Sequence, residues 1–361
     1  MEVMQTLMRQ AGAGIHFFIK SDHILKNKRN VAITYGGDSS EWEVSVWSGQ
    51  HIALHINRNN YNVYEVQLRD NDWRVVRMAN GAFIKELGVQ IDKTDFSFIW
   101  DGERIRFDVV LIMIHGTPGE NGILQSYLEH LHIPYTTSPS FVSALAFDKY
   151  ACKCHLREIE VQMANDVLLR QNEEFDEQAI VKKLGLPLFV KPNGGGSSFG
   201  ATKVKVAEEF RSAVTEAFKE CPMVLVEEFL QGRELTNGML KTVTQSLVLP
   251  VTEIVSKNDF FDYQAKYKGA SDELTPAPIP DSLRNKVQQS TSKIYDYLGC
   301  NGFIRVDYIA MGEELAFLEV NTVPGMTEMS LVPQQVRAAG LSMETFIELL
   351  IEDTLFRFGR T

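Results

Sequence analysis

The sequence predicts an α/β protein of three domains, and three observations carry that expectation. Its 361 residues exceed what a single core commonly organises, at roughly 100–200 residues per domain. From Asn30 the order is strand, glycine turn, helix, strand, the alternation that builds a parallel sheet. Near the C-terminus, Phe303-Ile304-Arg305-Val306-Asp307 and Phe317-Leu318-Glu319-Val320-Asn321 alternate apolar and polar residues around a turn at 311–314. That period-two pattern marks paired strands with one polar face.

Composition narrows the class. Apolar residues make up 44% and charged residues 23%, close to globular averages of roughly 45–50% and 25%, which disfavours disorder, collagen and coiled coil. The apolar run Val109 to Ile114 is far short of the roughly 20 residues a membrane helix needs, so no membrane partner is expected. Lys and Arg number 36 against 47 Asp and Glu, a net charge of −11, and nonspecific nucleic-acid binding needs clustered cations instead. Cys152, Cys154, Cys221 and Cys300 are too sparse for a disulfide scaffold and fit a reducing compartment. Cys152-Lys153-Cys154-His155 reads as no zinc site, because cysteines two positions apart on a helix diverge and no second ligand pair follows. Residues 1–29 read as an N-terminal extension: Ile15 to Ile19 is too short for a signal-peptide core and lacks a small-residue cleavage pattern.

The elements follow in order. Val31 to Tyr35 is a strand and Gly36-Gly37 its turn; Ser40 and Glu43 have capping-box spacing, so a helix should open near Ser40. The strand Val63 to Leu68 comes next. A buried strand from Asp108 to Ile114 runs into His115-Gly116-Thr117-Pro118-Gly119-Glu120-Asn121-Gly122, then Leu124, Tyr127, Leu128 and Leu131 give helical spacing. Thr, Ser and Pro cluster at 138–140, ending a first domain of residues 30–139. A second, 140–229, holds a helix from about Asp148, a strand Pro187 to Lys191, a glycine-rich loop Asn193 to Gly200 and a strand through Lys203 and Val206. A helix marked by Phe210, Val214, Ala217 and Phe218 and a strand Met223 to Glu228 close it. The third, 230–361, has strands Glu234 to Lys241 and Leu247 to Ile254, then a polar stretch 256–276 long enough to be a lid. A helix Asp281 to Leu298, the strand pair and a C-terminal helix complete it.

The strand pair carries the clearest chemistry. Period two sends Ile304, Val306, Leu318 and Val320 to the core and gathers Arg305, Asp307, Glu319 and Asn321 on the opposite face. Three oxygen ligands beside a guanidinium suit magnesium holding nucleotide phosphates; a solvated face with an ion pair has the same pattern. In Lys191-Pro192-Asn193-Gly194-Gly195-Gly196-Ser197-Ser198-Phe199-Gly200, the glycines let backbone N–H groups approach an anion, although a plain glycine hairpin reads alike. The loop lacks G-x-x-x-x-G-K-[ST] and precedes a strand, so neither a P-loop nor a dinucleotide fingerprint fits. His115, at a strand end, reads as a ligand or as a packed, hydrogen-bonded histidine.

Seven segments then fall in one family's order: Gly36-Gly37-Asp38-Ser39-Ser40-Glu41-Trp42-Glu43-Val44-Ser45, His115-Gly116 with Gly119-Glu120-Asn121-Gly122, Phe147-Asp148-Lys149, and Gly196-Ser197-Ser198-Phe199-Gly200. Tyr263-Gln264-Ala265-Lys266-Tyr267, Glu319-Val320-Asn321-Thr322-Val323-Pro324-Gly325-Met326-Thr327 and Ser330-Leu331-Val332-Pro333 complete the series. From about Asn30 onward the chain resembles the D-alanine:D-alanine ligases of the ATP-grasp superfamily. The resemblance implies a Rossmann-like parallel-sheet domain followed by two α+β ATP-grasp domains. It also implies joining of two D-alanines at the expense of ATP, through a D-alanyl phosphate, for peptidoglycan precursor synthesis in the cytoplasm, by a homodimer.

Residue by residue, the resemblance implies that Lys149 and Lys191 hold the ATP phosphates and that Ser197, Ser198 and Lys266 also bind ATP. The backbone at Glu227, Glu228 and Leu230 would line the adenine and Glu234 bind ribose. Asp307, Glu319 and Asn321 would hold two magnesium ions, with Glu319 shared and manganese a substitute. Glu41 would anchor the first D-alanine's ammonium, supported by Ser45 and His115, while Ser330, the Leu331 backbone and Lys266 take the second substrate's carboxylate. Arg305 and the N–H of Gly325 would be the oxyanion donors, and Tyr267 would meet Ser197 across a closed lid. Tyr267 favours the dipeptide, since relatives that make the D-lactate ester carry histidine there. Gly194-Gly195, Phe199 and the length of 69–107 depart from the family pattern.

Overall fold

The computed structural model describes residues 28–196, 199–256 and 271–359. Ser197, Ser198, Lys266, Tyr267, residues 257–270 of the expected lid and residues 1–27 of the expected extension lie outside the described residues.

The first unit contains β1 (Arg29–Gly36), α1 (Trp42–His55), β2 (Tyr61–Arg69), β3 (Asp72–Asn80), β4 (Phe83–Gln90), a short pair β5 (Phe98–Trp100) and β6 (Glu103–Ile105), β7 (Val109–Ile112) and α2 (Ile123–His130). The sheet order is β4-β3-β2-β1-β7. β1 lies parallel to β2 and β7, but β3 and β4 join antiparallel, so the expected parallel sheet is mixed. The cause is local. Asp70-Asn71 and Gly81-Ala82 are two-residue connections with positive φ at Asp70 and Gly81, and so short a link permits only a hairpin. The first helix also starts later than its capping-box spacing suggests. Its N-cap is Glu41, with no side-chain capping bond; Ser39 Oγ instead donates to His115 O at 2.8 Å and accepts from Glu41 N at 3.2 Å. That hydroxyl fixes the turn to the end of the β7 segment.

Next come α3 (Ser140–Phe147), α4 (Lys149–Leu156), β8 (Asp166–Arg170), α5 (Glu177–Leu184), β9 (Leu188–Pro192), β10 (Thr202–Val204), α6 (Phe210–Glu220) and β11 (Met223–Glu228). The strands form an antiparallel sheet in the order β10-β9-β11-β8. Asp148 caps α4, its carboxylate accepting from Ala151 N at 2.9 Å. Leu188, Val190, Phe210, Val214 and Val224 pack one face of the sheet against α6.

The last unit has β12 (Arg233–Lys241), β13 (Ser246–Val248), β14 (Thr252–Ser256), β15 (Ser271–Leu274), α7 (Asp281–Leu298), β16 (Phe303–Met311), β17 (Glu314–Asn321), α8 (Leu331–Ala338) and α9 (Met343–Arg357). Its sheet runs β15-β14-β12-β16-β17, with β13 also paired to β12. The strand expected from Leu247 to Ile254 is two strands separated by Leu249-Pro250-Val251, since proline has no N–H to give the ladder. Residues 271–274, expected within the lid, are β15, paired to β14 from Ser256↔Ser271 onward.

Two cores set the geometry of the site. Val31, Ile33, Leu111 and Met113 of the first sheet share a core with Phe303, Phe346, Ile347 and Leu350, which ties the first unit to the last. Val142, Cys152 and Leu156 of α3 and α4 pack with Leu235, Ile304 and Val306. Each such side chain, fully buried, stabilises by roughly 1.5–3 kcal/mol, so α4 is anchored beside β16. No helix among the described residues is long and apolar enough to cross a membrane.

Candidate active site

The β16–β17 ladder pairs Arg305 with Asn321 and Asp307 with Glu319, then shifts register so that Tyr308 faces Phe317. Ile304, Val306 and Val320 are buried as expected. Leu318 is not a core residue: it is the extra residue of the bulge and lines the large cavity, because a bulge re-aims the side chains beside it. On the polar face Arg305 grips Asp307 with both ends of its fork, Nε to Oδ1 at 2.8 Å and Nη2 to Oδ2 at 2.7 Å. Thr236 Oγ1 donates to Asp307 Oδ1 at 2.6 Å, and Asn321 Nδ2 to Oδ2 at 3.2 Å. Lys149 Nζ stands 3.4 Å from Glu319. The four groups expected on one face therefore meet there.

That face forms one wall of a cavity of about 480 Å³ between the second and third sheets, within the roughly 300–1,000 Å³ usual for ligand sites. Lys149, Lys191, Glu227, Glu228, Leu230 and Glu234 all line it. Phe189 and Phe229 give its far end an apolar surface, with Lys203 over the Phe229 ring. The glycine loop begins pinned to α4: Lys149 N and Tyr150 N donate to Asn193, at its O (3.0 Å) and Oδ1 (2.8 Å), and Lys149 Nζ donates to Gly195 O at 2.7 Å. The Glu227 carboxylate takes Lys191 on one oxygen and Lys153 on the other. Burial alone would raise its pKa, yet Lys191 and then Lys153 hold it below the usual carboxylate range. Burial acts against the Lys149 charge, but Glu319 and Glu120 outweigh it and raise that ammonium's pKa.

A smaller cavity of about 100 Å³ adjoins the large one, and Gly196, Arg305 and Glu319 line both. Glu41, His115, Glu120, Gly325, Ser330 and Leu331 surround it. Glycine at 196 is required by close approach: a Cβ there would lie 2.5 Å from Glu41 Oε2. His115 is buried, with Nδ1 2.9 Å from Val323 O and Nε2 3.3 Å from Ser48 Oγ. A carbonyl only accepts, so Nδ1 carries the proton and Nε2 accepts from Ser48, whose oxygen in turn accepts from Met326 N. Burial lowers the His115 pKa against the pull of Glu41, so the ring is neutral and braces the Val323–Met326 loop that contains Gly325. Ser330 is the N-cap of α8, whose first turn has backbone N–H groups without partners inside the helix, a natural seat for a carboxylate.

Ser45, expected to support Glu41, is bonded to the backbone behind it. It is fully buried, its Oγ donating to Met113 O at 2.7 Å and accepting from Gly36 N at 2.8 Å. The hydroxyl proton is thereby committed, and Ser45 steadies the turn before Glu41. Other residues the sequence reading did not assign also belong here. Glu120 accepts from Gly116 N at 3.0 Å, and burial, then the Glu41 charge, push its pKa up to about 7. Glu273, on β15, enters the small cavity and accepts from Gln334. Lys153 lies one helical turn from Lys149, a spacing that places both on one face of α4.

A nucleotide-sized cavity clasped by two antiparallel-sheet units, with lysines, oxygen donors on a strand pair and a small polar chamber beyond, defines an ATP-grasp enzyme. The D-ala D-ala ligase N-terminus model matches residues 30–138 and the D-ala D-ala ligase C-terminus model residues 156–352. The D-alanine--D-alanine ligase of Phocaeicola vulgatus is 46% identical over 327 residues, covering 90% of this chain and 99% of its own. Among solved structures, the VanG D-Ala:D-Ser ligase from Enterococcus faecalis is 31% identical with a TM-score of 0.76, covering 90% of this chain and 99% of that one. The D-alanine--D-alanine ligase from Bacillus anthracis complexed with ATP is 27% identical with a TM-score of 0.73, covering 92% and 99%. The chain belongs to the D-alanine:D-alanine ligase family.

Proposed function

We propose that the protein joins two D-alanine molecules into D-alanyl-D-alanine, using ATP and releasing ADP and phosphate, for peptidoglycan precursor synthesis. The observation that carries this reading is the junction of the two cavities at Arg305 and Glu319, where a phosphoryl group in one chamber meets a small amino acid in the other.

Asp307, Glu319 and Asn321 present hard oxygen donors from neighbouring strand positions, and that donor chemistry fits magnesium, with manganese as a substitute. Two magnesium ions held by Asp307, Glu319 and Asn321 would neutralise charge on the transferring phosphoryl group. The chain's own residues do the rest. Lys149 and Lys191 meet the triphosphate, Glu227, Glu228 and Leu230 bound the base, and Glu234 accepts from a ribose hydroxyl. Glu41 draws the first D-alanine's ammonium, aiming its carboxylate past Gly196 at the γ-phosphate; the product of that attack is D-alanyl phosphate. The second D-alanine is held by its carboxylate at Ser330 and the Leu331 N–H; its amine, having lost a proton to solvent, attacks the acyl carbon, and the tetrahedral adduct collapses by breaking the acyl C–O bond and expelling phosphate. Arg305 and the Gly325 N–H face the tetrahedral oxyanion; such a donor is worth about 10²–10³ in turnover elsewhere. The family resemblance assigns Ser197, Ser198 and Lys266 to ATP binding and Tyr267 to a contact with Ser197, all outside the described residues; the acyl phosphate itself requires that water be kept out. The setting is the cytoplasm, and the working form a homodimer.

The test is direct. Protein, ATP, magnesium and D-alanine should yield dipeptide and phosphate in equal amounts, and Asp307→Asn and Glu319→Gln should each cost about 100-fold or more. Full activity in both variants would overturn the metal assignment. Preferential use of D-serine or D-lactate as acceptor would overturn the substrate.

A further inference from the structure

Beneath the base end of the large cavity lies a buried charge cluster. Lys153, with a side chain only 1% exposed, donates to Ala164 O at 3.0 Å, stands 2.8 Å from Asp166 Oδ2 and pairs with Glu227 Oε1. Glu227 Oε2 pairs with Lys191, and Asp166 also meets Arg157 at 2.9 Å. Among the described residues in these contacts, three cations (Lys153 from α4, Lys191 from β9, Arg157 after α4) face two carboxylates, Asp166 of β8 and Glu227 of β11. One positive charge is in surplus. Of the three cations Lys191 lines the cavity; Lys153 is buried, and Arg157, its side chain 47% exposed, closes the cluster on the solvent side.

We propose that Lys153 is a positioning residue for nucleotide binding: it keeps Glu227 paired from behind, so that Lys191 is released to the triphosphate without leaving a buried carboxylate alone. The inference rests on the large cavity being the ATP site. Its physical basis is the asymmetry of buried pairs, in which stranding one partner costs far more than the intact pair contributes. Were Lys191 the sole counterion, each phosphate contact it made would strand Glu227 or force it to take a proton. With Lys153 on the other oxygen, the cluster is neutral after Lys191 leaves: Lys153 and Arg157 balance Glu227 and Asp166. The sequence builds this with one helical turn, since Lys149 and Lys153 are i and i+4 on α4. Lys149 serves the phosphate end and Lys153 the base end.

A double-mutant cycle on the full-length protein tests it, with a nonhydrolysable ATP analogue and magnesium titrated calorimetrically in buffers of different ionisation enthalpy. Lys153→Met should weaken analogue binding about tenfold or more and make binding take up close to one proton, as Glu227 protonates when Lys191 departs. KM for D-alanine should stay near the parent value, and Lys153→Arg should restore binding. In a Glu227→Gln background, where no carboxylate needs a counterion, Lys153→Met should have less than about a twofold effect. Equal losses in both backgrounds, or no proton uptake, would overturn the proposal by showing that Lys153 merely supports the fold through Asp166 and Ala164. If Lys153→Met alone does not fold, rescue by Glu227→Gln is the supporting result and failure of the double variant the contrary one. Absence of analogue binding by the unaltered protein would instead sink the ATP reading itself.

Discussion

Glu120→Gln isolates the cost of a carboxylate held where charge is unwelcome. Glu120 accepts from Gly116 N–H, and burial together with Glu41 moves its pKa from 4.5 to about 7. Between those values the folded protein keeps a proton that the unfolded chain has released. Stability therefore declines as pH rises through that window and levels off above it. A gap of about 2.5 pH units corresponds to roughly 3 kcal/mol at full effect, and water reaching the largely buried carboxyl through the small cavity it lines reduces this to about 1–2 kcal/mol. Glutamine preserves the shape and the acceptor for Gly116 but does not titrate. Urea unfolding of the ligand-free protein should show Glu120→Gln more stable than the parent by about 1–2 kcal/mol at pH 8.5, with the advantage shrinking steadily toward pH 5. An offset independent of pH, or a variant less stable at pH 8.5, would refute the assignment of the raised pKa to this group.

Two other perturbations test the scaffold around the site. Gln335 is fully buried and serves three groups, accepting from Gly238 N at 2.9 Å and donating to Thr236 O and Thr252 Oγ1 at 3.1 and 3.0 Å; Gln335→Met should cost about 2–4 kcal/mol, read as a lower urea midpoint. Gly196→Ala drives a Cβ to 2.5 Å from the Glu41 carboxylate and should raise KM for D-alanine by about tenfold or more while changing KM for ATP much less; steady-state kinetics with each substrate varied in turn decides it.

The polar face of β16–β17 was legible because a strand's period is two: once the hairpin is recognised, Arg305, Asp307, Glu319 and Asn321 must share a side. Leu318 escaped that logic because the bulge beside Asp307 leaves no mark in the apolar pattern. The antiparallel edge strands left a usable signal in Asp70-Asn71 and Gly81-Ala82, two-residue links of hairpin length, masked by the parallel alternation around them. Lys153 was half legible, its spacing from Lys149 visible but its partner Glu227 lying 74 positions away. Ser45 shows the limit of sequence order. Sequence order places it beside Glu41, while the hydrogen bonds it satisfies belong to the backbone of β1 and the β7 segment. Which hydroxyl protons are committed is a tertiary fact, and no local pattern states it.

The most direct measurement of the mechanism uses D-alanine labelled with ¹⁸O in its carboxylate, incubated with protein, ATP and magnesium. Attack of that carboxylate on the γ-phosphate, followed by amine attack at carbon, transfers one labelled oxygen to each phosphate released, in step with dipeptide. Phosphate free of label, with dipeptide still formed, would contradict the phosphoryl-transfer geometry assigned to the junction of the two cavities.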